Sequence, residues 1–63
     1  MKVVIKEIRK KSRITLEELA TKTGIEVTVL SELEENNLDI CNAKMLTKIA
    51  EVLGVQISDI FFY

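Results

Sequence analysis

Catalysis needs groups that move protons, attack carbon or hold a metal, and this chain is short of them. It has no histidine and one cysteine, Cys41. Metal sites of the usual nitrogen and sulfur kind are therefore excluded in a monomer, and no cofactor is expected. A histidine-based nucleophilic triad lacks its base, which leaves only Ser–Lys arrangements open. The two glycines, Gly24 and Gly54, stand too far apart to form a phosphate cradle. The carboxylates could pair for acid–base work, but they fall on solvated helix faces with no sign of a pocket, so no enzyme is expected. Cys41 falls at a loop or helix start, where a small half-buried residue is the expectation rather than a reactive thiol. What remains is binding through charged and polar side chains.

The charges are unevenly spread. Net charge is −1, yet residues 1–13 carry Lys2, Lys6, Arg9, Lys10, Lys11 and Arg13 against Glu7 alone. The rest of the chain carries Lys22, Lys44 and Lys48 against nine acids. The molecule is expected to be electrostatically two-ended. Its basic end either meets phosphate or an acidic protein surface, or is simply a solvated helix face.

Length and composition bound the scaffold that must position these groups. A chain of 63 residues is read as one domain, residues 1–63. Domains of this size bury only ~60% of their unfolded surface, so the core is small. An apolar fraction of 48% argues for a folded chain rather than a disordered one. No apolar run approaches the ~20 residues of a membrane span, and the start, M-K-V-V-I-K-E, is too short and too soon charged for a signal peptide. One cysteine excludes an internal disulfide framework, which makes a reducing cytoplasm the expected location.

Hydrophobic spacing predicts a row of short helices and no sheet. The first runs from about Lys2 to Lys11, with Val4, Ile5 and Ile8 on one side. T-L-E-E opens the second with a capping box, Thr15 and Glu18 satisfying each other's backbone N–H groups. Leu16, Leu19 and Ala20 supply its apolar side, and Gly24 ends it. The third runs from about Val27 to Glu35, with Ile25, Val29, Leu30 and Leu33 inward. The alternation in I-E-V-T-V also suits a strand, but L-S-E-L-E-E continues at helical period. After a loop at 36–41, Asn42 caps a fourth helix from about Ala43 to Leu53, which Gly54 ends. Ser58 then caps a short last turn, with Ile60 and Phe61 turned inward. Phe62 and Tyr63 look exposed, so they either pack across a dimer interface or lead into further chain. The expected fold class is all-α, a compact five-helix bundle.

Two helices joined by a tight glycine-containing turn, the second short and amphipathic, form a helix-turn-helix, here about residues 15–35. The chain resembles the phage-repressor and Cro-like helix-turn-helix family, also called the XRE family, whose fold is lambda-repressor-like. The resemblance rests on I-K-E-I-R-K-K (5–11), I-T-L-E-E-L-A (14–20), T-G-I (23–25), L-S-E-L-E (30–34), L-T-K-I-A-E-V-L-G-V (46–55) and I-S-D-I-F (57–61). It implies a transcription regulator, commonly a repressor, that works as a homodimer on palindromic double-stranded DNA with its third helix in the major groove. It also implies an ion pair between Arg9 on helix 1 and Glu34 late in helix 3, which ties the reading helix to the bundle.

Carried over residue by residue, the family frame turns Glu26, Val27, Thr28, Ser31 and Glu32 toward the groove and sets the loop from Glu35 to Leu38 against phosphate. Asn36, Asn37 and Lys44 are the implied phosphate contacts, with Asn42 beside them. The chain departs from the frame in several places. Leu16 stands where members often carry a glutamine that touches the DNA backbone. Val27 and Glu32 stand where polar or basic residues are common. The loop begins E-N-N where asparagine-glycine-lysine is common, and residues 37–45 match poorly. A reading helix without cations forgoes the counterion-release term that dominates non-specific affinity. Two functions therefore stand side by side: a sequence-specific DNA-binding regulator, or a helix-turn-helix turned to protein interaction, its acidic helix meeting a basic partner.

Overall fold

The computed structural model describes residues 2–62. Its order is β1 (Lys2–Val3), α1 (Ile5–Lys11), α2 (Leu16–Thr23), α3 (Val27–Glu34), α4 (Ala43–Leu53), α5 (Ile57–Ile60) and β2 (Phe61–Phe62). Tyr63, expected to be exposed, lies outside the described residues.

The start of the chain corrects the expectation of a helix from Lys2 and of a fold without a sheet. Lys2 and Val3 pair antiparallel with Phe62 and Phe61. The Val4 N–H then donates to the Ile60 carbonyl at 2.9 Å. Val3 and Val4 are β-branched and favour extended backbone, and the aromatic pair at the other terminus offers them a partner. Helical spacing alone carries no trace of that partner. The helix begins only at Ile5, with no side-chain cap at Val4.

All four longer helices end in a left-handed residue, and two of these are not glycine. Gly24 (φ 75°) and Gly54 (φ 71°) end α2 and α4. Arg13 (φ 57°) and Asn36 (φ 63°) do the same after α1 and α3. After α1, the Arg13 and Ile14 N–H groups donate to the Lys10 and Arg9 carbonyls at 3.0 and 3.2 Å. After α3, the Asn36 and Asn37 N–H groups donate to the Leu33 and Glu32 carbonyls at 3.0 and 2.9 Å. Both are Schellman closures, which satisfy carbonyls that a helix end would leave unpaired. Glu35 is thus the residue flanking α3 rather than its last turn.

The starts follow local chemistry. Thr15 Oγ1 accepts from the Glu18 N–H at 3.0 Å, and Glu18 Oε1 accepts from the Thr15 N–H at 3.2 Å. Asn42 Oδ1 accepts from the Met45 N–H at 2.9 Å. The last turn corrects the sequence reading: Ser58 lies inside α5, and Gln56 precedes it, its N–H donating to Asp59 Oδ2 at 2.9 Å. A carboxylate three residues on reaches back more effectively than a hydroxyl already within the turn.

Val3, Ile5, Leu19, Leu30, Leu33, Leu46, Ile49, Ala50, Leu53 and Ile60 form the core. Leu19 of α2, Leu30 and Leu33 of α3 and Ile49 of α4 are fully buried; α2 packs on α4, and α3 packs on α2 and α1. Ile25 and Phe61, expected inward, are half-buried at the rim of the core, and Val29, also expected inward, is half-buried but not packed against the core. Phe62 is exposed.

Candidate nucleic-acid interface

Residues 24–26 join α2 to α3, and their path is set from inside. Thr23 is buried. Its hydroxyl donates to the Leu19 carbonyl at 2.7 Å and accepts from the Ile25 N–H at 3.2 Å. One side chain thus satisfies groups on both sides of the turn, while left-handed Gly24 reverses the chain. No periodicity marks Thr23 as a hinge; a threonine just before a helix-ending glycine is the only hint.

Helix α3 is held by its inner face and its far end. Leu30 and Leu33 are fully buried. Near the end, Arg9 Nε and Nη2 donate to Glu34 Oε2 and Oε1 at 2.6 and 3.1 Å. Arg9 Nη1 also donates to the Ile14 carbonyl at 3.0 Å. Little of either side chain meets solvent, 12% for Arg9 and 6% for Glu34. The hydrogen bonds to Glu34 raise the Arg9 pKa above its already high value, outweighing desolvation. A planar guanidinium serves two carboxylate oxygens and a carbonyl at once, which an ammonium cannot do. Glu34 is committed to the bundle and is withdrawn from any ligand.

The opposite face carries Val27, Thr28, Ser31 and Glu32, all exposed. Glu26 and Glu35 flank them, also exposed. The structure therefore brings the four sequence-derived groove residues onto one outward surface. It ties the loop asparagines into the protein more closely than their spacing suggests. Asn36 Oδ1 accepts from the Val3 N–H at 2.7 Å. Asn37 Nδ2 donates to Glu32 Oε2 at 2.6 Å. Lys44 stands in the first turn of α4, lining an open groove of about 620 Å³ with Thr23, Ile25, Met45 and Lys48. Cys41 is half-buried, and burial pushes its thiol pKa up, which suits a packing role. The described residues hold no cluster able to bind a metal ion, and no helix is long and apolar enough to cross a membrane.

Comparison with known families agrees with this geometry. Residues 4–63 match the family described as the Cro/C1-type HTH DNA-binding domain. No curated protein matches significantly. The match takes in both helices of the motif, the turn, the helix that supports them and α5, and it supports duplex DNA as a partner of the domain. With its buried hinge threonine, its anchored third helix and a family match over nearly its whole length, the chain belongs to the Cro/C1-type helix-turn-helix DNA-binding domains.

Proposed function

We propose that this protein is a sequence-specific regulator of the XRE type that lays α3 in the major groove of duplex DNA. Val27, Thr28, Ser31 and Glu32 face base edges, and Asn36, Asn37 and Lys44 face phosphates. The observation that carries this reading is the division of labour along α3. Its inner face is spent on Leu30, Leu33 and the Arg9–Glu34 pair, and its outer face presents small or polar side chains to solvent. Short side chains such as Thr28 and Ser31 let a helix approach base edges closely. The protein acts as a homodimer on a two-fold site, an assignment supported by the family and by exposed Ile57 and Phe62 at the C-terminal end.

Fluorescence anisotropy against randomised duplex, titrated from about 50 mM salt upward, tests the reading. Binding is expected at the low end, weakening as salt rises. Electrostatic attraction is still strong at ~50 mM, so an absence of binding there would sink it.

A further inference from the structure

We infer that Asn37 positions the carboxylate of Glu32 to accept a hydrogen bond from the N4 amine of a cytosine in the operator. The inference rests on the proposal that α3 reads the major groove. A glutamate on a solvated helix face ordinarily samples many rotamers. Glu32 is held instead, its Oε2 taking a hydrogen bond from Asn37 Nδ2 at 2.6 Å. Asn37 is itself held, because its backbone N–H closes α3 on the Glu32 carbonyl at 2.9 Å. That closure depends on the left-handed turn at Asn36. The pair is therefore a product of how the helix ends, and it fixes an otherwise mobile head group.

The chemistry of the held group selects its partner. One carboxylate oxygen is engaged by Asn37, and no hydrogen bond to the other, Oε1, is found among the described residues. An ionised carboxylate only accepts. Guanine presents two acceptors in the major groove and thymine one, so both repel it. Adenine offers its N6 amine, but beside the N7 acceptor. Cytosine offers its N4 amine next to an apolar C–H, and it suits a lone acceptor best. The hydrogen bond from Asn37 also offsets part of the negative charge that Glu32 brings toward DNA, leaving the second Asn37 N–H free to donate to phosphate.

Site selection with the parent protein, followed by anisotropy on the selected duplex, tests this. One C·G pair per half-site is expected to be required, and its replacement by T·A should weaken binding about tenfold or more. Glu32→Gln and Asn37→Ala should each reduce that C·G to T·A ratio several-fold. If Asn37 acts only on phosphate, Asn37→Ala weakens both duplexes equally and leaves the ratio intact, which overturns the inference. Asn37→Ser, too short to reach Glu32, gives the same reading should the alanine variant not fold. Selected sites without a required C·G, or a ratio unmoved in Glu32→Gln, overturn it while DNA reading stands. No binding to any duplex removes both.

Discussion

Glu32 and Glu34 are two residues apart on α3 and serve different ends. Glu34 turns inward onto Arg9, while Glu32 stays outside and is steadied by Asn37. The inward pair holds one end of α3 to α1, and its sparse exposure makes the partners interdependent. Arg9→Ala leaves a poorly solvated carboxylate and an unpaired Ile14 carbonyl. Its expected cost is about 2–3 kcal/mol, between that of a charged hydrogen bond and that of a fully buried pair. For a domain of this size that lowers Tm by roughly 10–20 °C. Arg9→Lys should recover only part of the loss, because a point charge cannot serve both carboxylate oxygens and the carbonyl. Thermal melts of the two variants check this, and equal stability of arginine and lysine at this position would contradict the fork geometry. The pairing was legible only through resemblance to a family. Spacing alone gives no reason for residue 9 to meet residue 34, because the contact is made by the crossing of two helices.

At the scale of elements, the starts of α2 and α4 were readable, while those of α1 and α5 and two of the helix ends were not. Thr15 with Glu18, and Asn42, are local signals, since a cap and the N–H it satisfies lie within one turn. Gly24 and Gly54 were equally plain. Arg13 and Asn36 end helices in the same left-handed conformation, but arginine carries no such preference, and Asn36 first read as a phosphate contact. Asn36 does two tasks at once. It tolerates a positive φ and it accepts the Val3 N–H. Asn36→Gly keeps the first and loses the second, whereas Asn36→Ala loses both. The alanine variant should therefore be less stable than the glycine variant by about 1 kcal/mol, the cost of left-handed backbone for a residue with a Cβ. Hydrogen exchange at the Val3 amide should quicken in both. Urea titrations with exchange measurements check the order, and an alanine variant as stable as glycine would mean that the φ at this position relaxes without cost.

Across the whole molecule, β1, β2 and α3 form one connected arrangement. β2 pairs with β1, and the Val3 N–H of β1 rests on Asn36, which closes α3 and places Asn37 over Glu32. The charge distribution also acts at this scale. The exposed cations Lys2, Lys6, Lys10, Lys11 and Arg13 lie on and beside α1, while α3 has none. On the proposed reading a shallow salt dependence of DNA binding follows, since α3 carries no cation. If α3 reads the groove as proposed, Glu35→Lys removes a repulsive charge beside the phosphates and adds an attractive one. It should tighten binding to random duplex and steepen the slope of log affinity against log salt by about 0.9. Anisotropy over a salt series measures this, and an unchanged slope would place residue 35 away from the DNA backbone.

By itself, the sequence determined the periodic helices, the caps of α2 and α4, the glycine stops and the helix-turn-helix frame. These depend on interactions within a turn or two and on a side-chain pattern that any amphipathic helix must display. Tertiary structure alone decided that the first residues form a strand, that Thr23 satisfies both sides of the turn, and that Asn36 belongs as much to the N-terminal strand as to α3. A strand of two residues has no periodicity to read, and it exists only because the other end of the chain arrives beside it. The hydrogen bond between residues 3 and 36 likewise requires the bundle to be assembled before donor and acceptor can meet.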